Sequence, residues 1–415
     1  ICSLLSGKKL DIWTDVSGMY TANPKIVKQA KPIQKLSYEE AMELSYFGAK
    51  VIYPPTIQPL ISKKIPINIK NTFKPKDEGS VIGIKSNNKF SAIKGISHIE
   101  DISLITLEGS GMIGIPGYSK RLFECLSRAN VNIVMITQAS SEHSICIGIK
   151  SSDEKNASLI INDEFESEIL NKVINPIVLE KNLCIVALVG DKMKNHQGIS
   201  GKMFNTLGYN NINVKAISQG ASERNISAVI NKKNIKKALN SLHETFFEKN
   251  IKEVNVFITG VGNVGGFLID QIKNQKKFIA QNLKLNLKVF GISNSRKMII
   301  SDSEIDLQNW KETLKNSKII ADSKVFQQNI LDLNLRNSLF VDNTASDLIS
   351  NTYKEYLKNG TGIVTCNKIA NSDVLSNYKE LKSLSRDNNA PFLFETNVGA
   401  AVPVISTLNN LINSG

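Results

Sequence analysis

Two tryptophans, five cysteines and six arginines are all that the 415-residue chain carries of those types, and glycine (25) with proline (11) makes up under a tenth of it. So few turn formers exclude a collagen-like or low-complexity polymer, and 41% apolar residues against 21% charged ones allow several packed cores. No apolar run approaches the ~18 residues of a membrane helix, and the first residues show no basic segment followed by an apolar one. A soluble protein of the cytoplasm is expected. Cys2, Cys125, Cys146, Cys184 and Cys366 are odd in number, widely spaced and mostly inside apolar runs, so they read as reduced, buried thiols rather than a disulfide framework.

Fifty-one basic against 38 acidic residues leave a net charge of +13, nearly all of it lysine. The excess is diffuse and is not interleaved with aromatics, which argues against a nucleic-acid surface. At roughly 150 residues per domain the length implies two to four domains. The chain opens on Ile1 and closes inside a helical pattern, LNNLINSG, so both ends read as cut from something longer.

Self-comparison at an offset of 81 residues aligns Gly109–Ile149 with Gly190–Ile230 without a gap, with identities that include Gly109/Gly190, Met112/Met193, Phe123/Phe204, Leu126/Leu207 and Gln138/Gln219. Each copy reads as a strand, a glycine-containing loop, a helix, two β-branched strands and a second helix. The first copy is completed by a strand near Ile177–Leu179. Two copies with so long a period suit a pair of ferredoxin-like βαββαβ sandwiches better than a solenoid. The paired glutamines end matching strands, where an amide can serve both the ammonium and the carboxylate of an amino acid, or merely close a turn. The pair resembles the tandem ACT regulatory domains of aspartate kinases. The resemblance implies a site for L-threonine at Gln138 and Gln219.

Upstream, KKLDIW reads as a short strand followed by the turn-rich TDVSGMYTANPK. Its hydroxyl, carboxylate, aromatic ring and ammonium could hold an adenosine and its phosphates, or form a plain surface turn. Together with LSYEEAMELSYFGAKVIYPPT the stretch is similar to the C-terminal part of the aspartate kinase catalytic domain, an amino-acid-kinase fold. That similarity implies Mg·ATP contacts from Thr14, Asp15, Tyr20, Lys25 and Lys50, with Lys25 standing where the family usually has Arg. Helix 38–46 would serve packing alone.

Downstream, VNVFITGVGNVGGFLIDQI sets an apolar strand directly before Gly260, Gly262 and Gly265 and then a helix. This is the context in which a GxGxxG pattern signifies dinucleotide binding: Gly260, Val261, Gly262, Asn263, Val264 and Gly265 would cradle the pyrophosphate. The next strand ends in Asn294, Ser295, Arg296 and Lys297 instead of the carboxylate that grips a ribose 2′-hydroxyl, which favours NADPH over NADH. The strands SLFVDNTAS, GIVTCNKIA and FLFETNVGAAVP also end in polar residues. Their sum resembles homoserine dehydrogenase. The resemblance implies that Asn343, Thr344 and Ser346 lie along the cofactor, that Lys368 is the catalytic lysine at the nicotinamide end, and that Glu395 with the carbonyls of Val398, Ala400 and Val402 holds Na⁺. Ile369 replaces a second lysine that often follows Lys368.

The expected architecture is therefore α/β and α+β multidomain: a kinase part at 1–85, ACT copies at 95–180 and 181–250, and an NAD(P)-binding Rossmann domain at 251–415. The order resembles that of enzymes that join aspartate kinase to homoserine dehydrogenase, and the resemblance implies phosphorylation of aspartate, reduction of aspartate semialdehyde to homoserine, threonine as feedback effector and a homo-oligomeric, tetrameric state. The family's phosphate motif would lie before Ile1 and the dehydrogenase's substrate residues beyond Gly415, so the chain alone should turn over neither substrate. Two other readings share these residues: a non-catalytic sensor of threonine and NADPH, and a lone homoserine dehydrogenase with an N-terminal regulatory extension.

Overall fold

The computed structural model describes residues 2–46, 51–84, 92–138, 143–193, 196–220, 224–248, 251–400 and 402–414. The chain divides into two compact units, residues 1–207 with 212–247, and residues 208–211 with 248–415. Among the described residues no helix is long and apolar enough to cross a membrane.

In the first unit, β1 (Leu10–Thr14), β2 (Lys35–Ser37), β3 (Ile67–Asn71) and β4 (Ser80–Gly83) form a sheet in the order β1-β3-β4-β2. The alternation in β3 buries Ile67, Ile69 and Asn71. The two isoleucines meet Leu36, Ala41, Leu44, Ile57 and Leu60 in one core, where each fully buried aliphatic side chain contributes about 1.5–3 kcal/mol. Helix Tyr38–Tyr46 starts on a capping box: the Ser37 hydroxyl accepts from the Glu40 amide (3.0 Å) and the Glu40 carboxylate from the Ser37 amide (3.0 Å).

The repeats share a single six-stranded sheet. Its strands are β5 (Gly95–Glu108), β6 (Ile133–Gln138), β7 (Ser144–Lys150), β8 (Val178–Val189), β9 (Val214–Ser218) and β10 (Asn225–Asn231), in the order β6-β7-β5-β8-β10-β9. Strand β5 shifts register between Ile99 and Ile102, and both Asp101 and Asn182 opposite it take left-handed backbone angles (φ 58° each). The kink divides the two long strands into halves. Ile102–Thr106 pairs with Leu183–Val178 to complete the first sandwich, while Gly95–Ile99 pairs with Val189–Ile185 to complete the second. The strand that the sequence leaves missing from the second copy is thus the N-terminal extension of the first copy's opening strand. Each sandwich has its own core on the helical face: Leu122, Leu126, Ile147, Ile161 and Phe165 in the first, and Met203, Leu207, Ile226, Ala238 and Leu242 in the second. On the opposite face Leu104, Met135, Leu183, Ile185 and Val229 form a further cluster that both copies supply.

The second unit holds β11 (Lys252–Thr259), β12 (Leu285–Ser293), β13 (Met298–Ile300), β14 (Ser338–Asp342), β15 (Gly362–Thr365) and β16 (Phe392–Leu393), ordered β13-β12-β11-β14-β15-β16. All neighbours are parallel except β13, which runs antiparallel to β12 at one edge. Strand order reverses between β11 and β14, so a crevice opens at their C-terminal ends, the usual ligand position in a doubly wound sheet. Phe257, Phe340, Tyr353, Tyr356 and Phe392 pack one face, and Val256, Ile258, Ile269, Val289 and Trp310 the other.

The five cysteines are all free, but only Cys125 and Cys184 are buried; Cys2, Cys146 and Cys366 are half-covered, contrary to the expectation of buried thiols throughout. Cys2 precedes the first strand and Cys366 follows β15, so neither sits inside a strand or helix that a core covers.

Candidate functional site

At the end of β11 the chain turns through Gly260, whose φ of +80° suits glycine, and enters helix Asn263–Phe278 with Gly262 as its N-cap. A side chain at Gly265 would stand 2.2 Å from the Gly260 carbonyl oxygen, so this glycine lets the helix lie against the loop. At Gly262 a Cβ would meet nothing within 4 Å. Space is thus kept open in front of the helix N-terminus, where unpaired N–H groups and the helix dipole favour an anion.

The crevice beside this turn encloses about 750 Å³ and is lined by Gly260, Val261, Gly262, Asn294, Ser295, Arg296, Thr344 and Ser346 among the residues expected from sequence. Thr259, Asp322, Phe340 and Tyr356 complete much of the wall. Asn294 fixes the turn after β12, its side-chain oxygen accepting from the amides of Arg296 and Lys297 (2.7 Å each). The two cations then part company. Arg296 is exposed at the crevice with no ion-pair partner among the described residues, whereas the Lys297 ammonium donates to the carbonyl of Lys315 (2.6 Å). Of the two, Arg296 alone lines the crevice. Asn263, Val264, Gly265, Lys297, Asn343 and Lys368 lie outside its lining.

Beneath the crevice is a buried polar network that sequence reading missed. Asp342, fully buried at the end of β14, accepts from the Thr344 amide (2.7 Å), the Tyr353 hydroxyl (2.6 Å) and the Asn367 amide group (3.0 Å). Asn367 also donates to the Ser346 carbonyl (2.9 Å), tying the ends of β14 and β15 together. Burial, reinforced by Asp342, pushes the Tyr353 hydroxyl far above its ordinary pKa, so it stays a neutral donor. The Cys366 thiol is likewise raised, by burial first and Asp342 second. The signal was present: an aspartate inside an apolar strand end, LFVD, needs partners. Asn343 lies beside this network with its side-chain nitrogen buried and unpaired among the described residues.

Lys368 is exposed at the start of helix Ile369–Ser372, its carbonyl accepting from the Ser372 amide (3.0 Å). Glu395 grips the start of helix Val404–Ser414, both carboxylate oxygens accepting from the Ser406 amide (3.1 and 3.0 Å). Val398, Ala400 and Val402 are exposed, with Gly399 (φ 73°) and Ala400 (φ 49°) making a left-handed turn. Among the described residues no group of three or more His, Cys, Asp or Glu side chains converges on one point.

In the first unit, Gln138 ends β6 and is exposed, and Gln219 follows β9, its side-chain oxygen accepting from the Ser200 hydroxyl (3.1 Å). They mark the ends of β6 and β9, the two edge strands of the shared sheet. Thr14 and Asp15 stand at the C-terminal end of β1, joined by a hydrogen bond (3.1 Å). Tyr20 bridges to Pro32, and the Lys25 amide donates to Asn23 (3.0 Å) while its side chain is exposed. No hydrogen bond among the described residues joins Tyr20 or Lys25 to Thr14 and Asp15. Lys50 lies outside the described residues.

Comparison with known proteins gives three family matches: the amino acid kinase family at residues 1–71, the ACT domain at 105–165 and 186–246, and the homoserine dehydrogenase NAD binding domain at 260–395. The bifunctional aspartokinase/homoserine dehydrogenase of Haemophilus influenzae is 39% identical over the whole chain, which spans 51% of that protein. A chloroplastic counterpart from Arabidopsis thaliana is 38% identical, again over the whole chain and 46% of its own length. The chain thus spans about half the length of the curated relatives it matches. Among solved structures, Clostridium acetobutylicum aspartate kinase is similar with a TM-score of 0.55 and 30% identity, over 59% of this chain and 56% of that one. E. coli aspartokinase III in complex with aspartate and ADP has a TM-score of 0.52 and 26% identity, over 60% and 54%. From end to end, the chain is similar to the bifunctional aspartokinase/homoserine dehydrogenases, over about half of their length.

Proposed function

We propose that the chain is the central part of a two-enzyme protein that phosphorylates L-aspartate with Mg·ATP and reduces aspartate semialdehyde to L-homoserine with NADPH, under feedback by L-threonine. The observation that carries this reading is one chain in which kinase, tandem ACT and homoserine dehydrogenase matches follow one another in the order of its relatives. Residues 1–85 are the kinase part, 95–180 and 181–250 the two ACT copies, and 251–415 the dinucleotide domain.

The dinucleotide fits the crevice on three grounds: the space left at Gly262, the helix N-terminus behind it, and an arginine, Arg296, with no ion-pair partner among the described residues where a ribose 2′-phosphate would lie. Bound there, the cofactor supplies a hydride. Arg296 makes NADPH the better ligand, Thr344 and Ser346 offer hydroxyls along its length, and Asp342 with Asn367 keeps those groups in register. Lys368 would sit at the nicotinamide end. Na⁺ would be held by Glu395 and the carbonyls of Val398, Ala400 and Val402: one carboxylate beside a left-handed turn is a donor set suited to a hard monovalent cation. Thr14, Asp15, Tyr20, Lys25 and Lys50 would serve the nucleotide, and Gln138 with Gln219 the effector. Five free thiols suit a reducing cytoplasm, and a homotetramer is the proposed assembly.

Titration of this chain with both ligands tests the reading. Calorimetry should give saturable binding of threonine and of NADPH, with NADH at least tenfold weaker. Combining Gln138→Ala with Gln219→Ala should cost threonine at least tenfold in affinity and leave NADPH unchanged. Failure of either ligand to bind, or a double variant with wild-type threonine affinity, contradicts the assignment concerned.

A further inference from the structure

The two ACT copies leave the loop after their opening strand in different states. Two pairs of hydrogen bonds are common to both loops: the Gly109 amide donates to the His143 carbonyl (3.1 Å) and Gly190 to Arg224 (3.0 Å), and Met112 donates to Gly109 (3.1 Å) as Met193 does to Gly190 (3.4 Å). In the first copy Ser110 is exposed and its amide has no acceptor among the described residues. Its counterpart at the 81-residue offset is Asp191, and the Asp191 amide donates to Glu40 Oε1 (3.2 Å).

Glu40 reaches this loop from helix Tyr38–Tyr46 and is only 1% exposed. Its other oxygen already serves the capping box by accepting from the Ser37 amide, and the Ser37 hydroxyl donates in turn to the Asp191 carboxylate. A capping box needs one acceptor oxygen; the second is spent on the ACT loop. The loop also stands at the end of the sheet where the paired glutamines are. Glu108 faces Ser144 on one side of β7 while Gln138 faces Ile145 on the other, and in the second copy Val189 and Ser218 flank β10 at Asn225 and Ser227. An amino acid held by the glutamine could therefore present its carboxylate to the loop amide. In the second copy that amide is taken.

We propose that Glu40 is a tethered occupant of the second ACT loop, competing with the carboxylate of a free amino acid, so that effector binding there and docking of helix Tyr38–Tyr46 exclude one another. The helix expected to serve packing alone thereby becomes the element through which the kinase part reads its regulatory domain. In sequence it leads directly to the FGAK stretch that carries Lys50. The inference rests on the threonine reading given above.

Glu40→Gln tests it, because glutamine offers one acceptor oxygen where two amides need one. Glu39→Gln is the control, removing the neighbouring charge from the same helix turn. On this chain, calorimetry should show threonine binding at least fivefold tighter in Glu40→Gln than in the wild type or the control. Hydrogen exchange of residues 38–46 should rise on adding threonine to the wild type and should already be raised in Glu40→Gln. Unchanged or weaker threonine binding in Glu40→Gln, or wild-type exchange indifferent to threonine, overturns the competition while leaving the feedback reading intact. If no variant binds threonine, both fall together.

Discussion

Replacing Gly262 with valine is expected to weaken NADPH binding at least 100-fold while the unfolding midpoint of the protein stays where it was. The two halves of this expectation come from the same geometry. A Cβ at position 262 meets no atom within 4 Å, so the packing of the fold has little to lose. What the side chain does fill is the space in front of helix Asn263–Phe278, where a pyrophosphate must approach the backbone amides closely. Gly265→Ala should behave in the opposite way. Its Cβ would stand 2.2 Å from the Gly260 carbonyl oxygen and 3.0 Å from Asn343 Nδ2, so backbone must move and stability falls whether or not cofactor is present. NADPH fluorescence titration alongside urea unfolding separates the cases. Wild-type affinity in Gly262→Val would remove the dinucleotide assignment.

Asp342→Ala is expected to cost roughly 3–5 kcal/mol in the C-terminal unit, because it strips a buried acceptor from three donors at once. The Thr344 amide, the Tyr353 hydroxyl and the Asn367 amide group all point at this carboxylate. The loss should be graded. Tyr353→Phe removes a single donor, and the hydroxyl's second partner, Thr365 at 2.7 Å, keeps its bond from the Asn367 amide (2.9 Å), so about 1 kcal/mol is expected. Asp342→Asn keeps an oxygen for Thr344 but sets one amide group against another at Asn367, which places it between the two. Trp310, 5% exposed in the core of this unit, reports its unfolding by fluorescence. A cost below 1 kcal/mol for Asp342→Ala would mean that the network is not what fixes the crevice floor.

The parts of the fold that depend on neighbouring residues were open to sequence reading, and the parts that depend on distant pairing were not. The repeat shows at an offset of 81 because each copy must bury the same helical and strand positions, such as Leu126 and Leu207. The sharing of β5 and β8 between copies leaves no such trace. Gly95–Ile99 carries no label saying that it pairs with Val189–Ile185 and not with a strand of its own copy. In the Rossmann unit the glycine turn was readable from its spacing, since each glycine answers a local steric demand. Lys297 was not: its charge qualified it for a phosphate, but its ammonium is bonded to the Lys315 carbonyl, 18 residues along the chain. Asp342 and Asn367 escaped notice because their value lies in one another. Glu40 was masked by being one acid among several in SYEEAMEL, although Ser37-x-x-Glu40 spells a capping box.

The most direct test of the account is to assay the natural full-length polypeptide that contains this chain for two reactions in one preparation, aspartate-dependent formation of ADP and aspartate-semialdehyde-dependent oxidation of NADPH, each with and without threonine. Both activities should travel with the one polypeptide and threonine should depress at least one of them, with that response lost in Gln138→Ala, Gln219→Ala. A polypeptide that catalyses neither reaction yet binds threonine and NADPH would contradict the account and make the protein a sensor; one that reduces the semialdehyde but forms no ADP would be a dehydrogenase with a regulatory extension.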